Sequence, residues 1–184
     1  MKLVHPVLLC LLPLLDAQAA APSQLAVYSC LAAQSVSPTV KWRDVSSKEI
    51  NSEDDYKDGY DATYYIVVEG KELGYAEKGE SKAILYDRNI YPIKLAQALP
   101  GFDVHPTELN PFSAEWGTVQ DSRGRYLCVS FPFGVLGQSG SFQSNRSAYL
   151  IPLSAEHGRR ILFSATGNIS SFFSNAASPP GVKP

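Results

Sequence analysis

Residues that usually carry chemistry are scarce in this chain. Its 184 residues include three histidines, three cysteines, one methionine and two tryptophans. The histidines (His5, His105 and His157) show no spacing that resembles a zinc set, so no metal is expected. No G-x-S-x-G stretch offers a strained nucleophile turn. Positive charge is not in excess either: 16 Lys and Arg against 18 Asp and Glu give a net charge of −2. That balance supplies no global basic field for nucleic acid or anionic lipid, although a local patch remains open. Beyond the first fifteen residues no apolar run approaches membrane-spanning length. No internal repeat is present, and no cofactor is expected.

The apolar run that does occur is at the start. "MKLVHPVLLCLLPLLDAQAA" pairs Lys2 with an apolar stretch, Pro6 to Leu15, and small residues at Ala17 to Ala19. This reads as a secretory signal occupying residues 1–19, cleaved between 19 and 21. Setting Lys2 and Asp16 aside leaves the net charge at −2. The remaining chain, about 160 residues, suits one domain with a sizeable core. Cys10 leaves with the leader, and Cys30 and Cys128 remain. In a secreted chain they are expected to form one disulfide, 98 positions apart. A loop of that length constrains the unfolded chain by about 4–5 kcal/mol in the chain-entropy account.

Along the chain, Pro38 to Ile50 has a ragged apolar face (Val40, Trp42, Val45 and Ile50) and is the helix candidate before residue 90. "NSEDDYKDGYD" reads as a polar, acidic loop, "ATYYIVVEG" as a strand, "KELGYAEKGES" as a turn and "KAILYD" as a second strand. Prolines at 92, 100, 106 and 111 limit regular structure in the next segment, leaving "PIKLAQAL" one or two helical turns. "EWGTVQDSRGRYLCVSFPF" reads as a hairpin turning at "DSRG", and "RSAYLIPL" with "RRILFSAT" as another. The composite is α+β: one N-terminal helix packed on an antiparallel sheet, closed by one disulfide. Residues 22–173 make the single domain, with an extra C-terminal hairpin, and 174–184 read as a disordered tail.

Each candidate motif has a plain structural reading beside the chemical one. Gly134, Gly137 and Gly140 lack the following helix that a phosphate loop needs, so a surface loop is the better reading. Asn145 and Asn168 each open an N-x-S sequon, and Asn168 is the better acceptor because its surroundings resemble a loop. "EDDYKD" lacks the glycine and terminal glutamate of a calcium loop. His105 with Glu108, or His105 with His157, are the pairs able to exchange protons near neutral pH. As ordinary surface residues they would do nothing.

The "YSC" following the leader resembles the Y-x-C class of secreted effector candidates of powdery mildew fungi, many of which resemble guanyl-preferring secreted ribonucleases. "IYPI" (90–93), "LPG" (99–101), "EWGTVQ" (115–120) and "RYLCVSFPFG" (125–134) follow the order of ribonuclease scaffold segments. The resemblance implies a ribonuclease-like fold. It also places Ile90 at the general base, Trp116 at the phosphate-binding arginine and Phe131 or Pro132 at the general acid. None of these can move a proton or meet a developing phosphate charge, so the implied site is inactive. The expected protein is then a secreted virulence or avirulence effector, monomeric, carried in some cases into host cells, with no membrane insertion after signal removal. A host protein is the first expected partner and RNA the second. Tyr56, Tyr60, Trp116, Arg123, Arg125 and the "GVLGQSGSFQ" loop are candidate contact features, with Arg159 and Arg160 adding to a local basic patch. Trp116 fits a core position equally well. An active secreted ribonuclease, or another hydrolase using His105, Glu108 or His157, is the alternative.

Overall fold

The computed structural model describes residues 20–47, 49–102, 109, 113–132, 144–153 and 160–170. His105, Glu108, His157, Arg159, the glycine string, and the expected leader and tail lie outside the described residues.

One helix, α1 (Gln24–Leu31), opens the chain. Ser23 caps it, its Oγ accepting from the Ala26 N–H at 3.2 Å, which satisfies one of the free donors of the first turn. Eleven strands follow: β1 (Lys41–Asp44), β2 (Asn51–Lys57), β3 (Tyr60–Val68), β4 (Lys71–Lys78), β5 (Ser81–Tyr86) and β6 (Asn89–Pro92). After a 3₁₀ turn at Ile93–Leu95 come β7 (Gln97–Ala98), β8 (Glu115–Asp121), β9 (Gly124–Pro132), β10 (Asn145–Pro152) and β11 (Phe163–Asn168). They form a six-stranded sheet in the order β1-β8-β9-β10-β11-β7 and a five-stranded meander, β2-β3-β4-β5-β6. All described pairings are antiparallel except β11 with β7.

This corrects the α+β expectation. The protein is mostly β, with two sheets and one short helix, rather than a helix packed on a single sheet. The physical reason lies in three segments. Asn51–Lys57 is an edge strand that buries only Tyr56, so its acidic residues face water and look like a loop in sequence. Lys71–Lys78 has charged ends and a central glycine, yet Leu73, Tyr75 and Ala76 are buried between two neighbouring strands. The expected helix between Pro38 and Ile50 contains the edge strand β1, whose Trp42 lies over Gly117 of β8; a Cβ at Gly117 would collide with the indole. The helix instead carries Cys30 itself. The hairpin expected around "DSRG" is present as β8 and β9, turning at Ser122 and Arg123.

Alternation along the strands sorts side chains into three layers. On one face of the six-stranded sheet, Val27, Cys30 and Leu31 of α1 pack against Val119, Tyr126, Cys128, Ala148 and Leu150. The Cys30–Cys128 disulfide pins the helix there, with the two Cα atoms 5.7 Å apart. On the opposite face, Trp116, Leu127, Val129, Tyr149 and Ile151 meet Ile66, Leu73, Tyr75 and Ile84 of the meander. A bulge between Ala62 and Tyr64 re-aims β3: Ala62 faces away from the six-stranded sheet, whereas Tyr64 and Ile66 face toward it.

The third layer lies on the far side of the meander, where Tyr56, Tyr60, Ala62, Ala76, Ala83, Leu85 and Ile90 are buried together. All five strands of the meander contribute to it, and Tyr60 and Ile90 also border a cleft lined by Leu162 and Arg160. The two outer strands approach one another as well, since the Lys57 ammonium donates to the Arg88 carbonyl in the β5–β6 turn.

Candidate functional site

The positions at which the resemblance expected the ribonuclease catalytic set are core residues. Trp116 is only 5 % exposed and stacks on Tyr64 at 6.4 Å, and Phe131 stacks on Tyr149 at 5.9 Å, all within the layer between the sheets. Ile90 is buried on the other face of the meander. The structure therefore brings two of the three into one core layer and separates the third.

Tyr56 and Tyr60, named as contact candidates, turn inward and are covered by cations. The Arg88 guanidinium sits 5.6 Å from the Tyr56 ring and the Lys78 ammonium 5.9 Å from Tyr60. Burial raises the Tyr56 phenol above its ordinary value, and Glu72 adds to that. Arg123 is exposed at the β8–β9 turn, with its guanidinium 3.5 Å from the Ala21 carbonyl. Asn145 and Asn168 occupy matched positions on β10 and β11. Among the described residues, no group of three or more His, Cys, Asp or Glu side chains is arranged to hold a metal ion.

Arg125 and Arg160, in contrast, each line a cleft. The first cleft, about 200 Å³, opens between the two sheets. Val45, Leu127 and Leu153 from one side and Val68 and Leu73 from the other form its apolar floor. Glu69, Lys71, Tyr86, Thr118 and Arg125 supply the polar groups around its mouth. Lys71 is already engaged: it pairs with Asp87 at 2.9 Å and lies 5.4 Å from the Tyr86 ring centre. Asp87 accordingly holds the Lys71 ammonium above its ordinary pKa. Arg125 makes no side-chain hydrogen bond or ion pair with any described residue.

The second cleft, about 230 Å³, lies beside β6. Tyr60, Ile90, Pro92 and Leu162 make it apolar, with Asp58, Tyr91, Leu95 and Arg160 around it. Leu95 is 67 % exposed, in a 3₁₀ turn whose only buried member is Ile93. Tyr91 feels both clefts. Burial raises its phenol, Arg160 pulls it partly back, and Tyr86, Asp87 and Lys71 also act on it. Sequence reasoning anticipated Arg125 and Arg160 as basic residues. It missed Leu95, Tyr91 and Lys71, because no local pattern tells which side of a twisted sheet stays uncovered.

No family model, curated protein or solved structure matches the chain. No helix among the described residues is long and apolar enough to cross a membrane.

Proposed function

We propose that this chain is a secreted, non-enzymatic effector that binds a host protein through the face around Leu95. One observation carries the reading: an exposed leucine stands beside an apolar cleft whose arginine, Arg160, has no ion-pair partner among the described residues. A large aliphatic side chain held in water costs stability, about 1.5–3 kcal/mol of forgone burial, unless something covers it. Interfaces concentrate their energy in apolar pockets rimmed by tyrosine and arginine, and Tyr60, Tyr91 and Arg160 have that arrangement. The surroundings suit a partner chain too. Among the described residues β6 pairs with β5 alone and β7 with β11 alone, so two outer strands flank Leu95. The partner's expected chemistry is an apolar anchor with a neighbouring carboxylate for Arg160. Burial of Ile90, Trp116 and Phe131 leaves only the ribonuclease site implied by the resemblance without a group to offer substrate.

The test joins two assays on the oxidised chain. RNA incubated with it is expected to stay intact, and cyclic-phosphate products would return the protein to the enzymes. A host protein recovered with the wild-type chain is expected to be lost with Leu95→Asp and with Arg160→Glu, both folded by circular dichroism. Retention of that partner by both variants overturns the proposed face. RNA binding that falls steeply with salt, and is indifferent to Leu95→Asp, replaces the protein partner with RNA.

A further inference from the structure

We infer that the cleft between the two sheets is a separate binding site for a small apolar zwitterion, in chemical terms a free amino acid with an apolar side chain. Its most telling residue is Thr118. The side chain is 7 % exposed and lines the cleft, yet its hydroxyl makes no hydrogen bond among the described residues. Its oxygen is not among the fully enclosed, unpaired polar atoms of the described residues, so it is reached from the cleft and can donate to whatever enters there.

The charges at the mouth narrow the choice of ligand. Lys71 and Asp87 neutralise each other across 2.9 Å. That leaves one guanidinium, Arg125, and one carboxylate, Glu69, both exposed and both without a hydrogen-bond or ion-pair partner among the described residues. A simple anion attracted by Arg125 would meet Glu69 as a like charge, and a simple cation would meet Arg125. A ligand carrying a carboxylate and an ammonium on one carbon uses both, with the Thr118 hydroxyl free to donate to the carboxylate.

Size and polarity of the interior set the rest of the molecule. An apolar cavity of about 150 Å³ is enough to hold benzene. The cleft, at about 200 Å³ with a floor of Val45, Val68, Leu73, Leu127 and Leu153, admits a side chain of leucine or phenylalanine size. Its walls come from β8 and β9 on one sheet and from β3, β4 and β5 on the other, so the ligand would bridge the two layers.

The experiment is calorimetric titration of the full oxidised chain with L-phenylalanine and L-leucine, against phenylalaninamide, N-acetylphenylalanine and glycine. The two apolar amino acids are expected to saturate the protein below about 1 mM. The amide, which lacks the carboxylate, and the N-acetyl form, which lacks the ammonium, are expected to bind at least about tenfold more weakly. Arg125→Gln and Glu69→Gln should each weaken phenylalanine by about tenfold, and Thr118→Val by a few fold, without loss of fold. Absence of saturation up to about 10 mM, equal binding of the amide and the free acid, or indifference to both charge variants would each overturn the site. The second cleft provides the control: Leu95→Asp should leave phenylalanine binding unchanged, and its loss there would mean that the ligand sits elsewhere.

Discussion

Asn145 and Asn168 are register partners on β10 and β11, and the Asn168 side-chain amide donates a 2.8 Å hydrogen bond to Asn145 Oδ1. The two sequon asparagines therefore occupy one place on the surface. Directly opposed residues on neighbouring strands have Cβ atoms about 5 Å apart, too close for two glycans side by side. Asn168 is the exposed member, and its Oδ1 also accepts from the Ser170 N–H at 2.9 Å. Expressed through a glycosylating secretory pathway, the chain is expected to carry one glycan from this pair, at Asn168. Intact-mass measurement decides it, and a chain carrying two glycans would refute the exclusion.

The disulfide gives a second prediction. Cys30 and Cys128 are fully buried and join the helix to a central strand across 98 positions. Reduction, or the Cys30→Ala/Cys128→Ala double variant, is expected to lower unfolding free energy by about 4–5 kcal/mol in the chain-entropy account. Denaturant unfolding with and without reductant measures this directly. A midpoint unchanged by reduction would show that packing of α1 alone holds the helix in place.

How much of this was readable beforehand depends on what each residue faces. The β8–β9 hairpin was legible because "DSRG" interrupts two alternating runs and the apolar members of each run face a core. The cysteine pairing was legible from the cysteine count together with the expected leader. The meander was not: β2 exposes Glu53, Asp54 and Asp55, and β4 carries Gly74 between buried neighbours, so neither has the pattern of an isolated strand. Their partners, not their own composition, make them strands. The helix escaped for the opposite reason, since "QLAVYSCL" buries Ala26, Val27, Ser29, Cys30 and Leu31, most of its length, and shows little periodicity. At the two clefts, Arg125 and Arg160 could be named from charge alone. Thr118 and Leu95 gain meaning only from what the sheets leave uncovered.

Asp121 offers a pH-dependent handle on the N-terminus. Burial alone would raise its carboxyl. The Ser23 hydrogen bonds and the backbone N–H groups of Arg123 and Gly124 outweigh that and hold it below its ordinary value. A carboxylate whose pKa is depressed by folding contributes stability above its unfolded pKa, and that contribution is lost as pH falls through the folded value. The stability gap between wild type and Asp121→Asn is therefore expected to be constant above about pH 5 and to shrink progressively below about pH 4. Thermal melts of both chains across that range test it. A gap that persists to strong acid would mean that the carboxylate charge contributes nothing to holding Ser23.

The last prediction concerns Arg146, which is 8 % exposed on the helix side of the six-stranded sheet. Its guanidinium donates to Glu115 Oε2 at 2.7 Å and, through Nε, to Ser130 Oγ at 3.1 Å, while the Ser130 hydroxyl donates to the Leu31 carbonyl at 2.9 Å. Burial lowers the Arg146 pKa, and Glu115 partly restores it. Glu115 is half exposed, so the pair itself is screened and its direct contribution is small. Removing the acid's charge is a different matter, because it leaves a nearly buried cation with neutral partners alone. Glu115→Gln is expected to cost about 1–2 kcal/mol, a fall of about 2–8 °C in Tm. Arg146→Met should cost less than Glu115→Gln, since it removes the buried charge together with its need for a partner and leaves the Ser130 bond to Leu31 intact. The double variant then separates the effects: if it is no less stable than Glu115→Gln alone, the cost belongs to the stranded cation rather than to the lost ion pair. A double variant clearly less stable than Glu115→Gln would instead assign Arg146 a packing role against the end of α1.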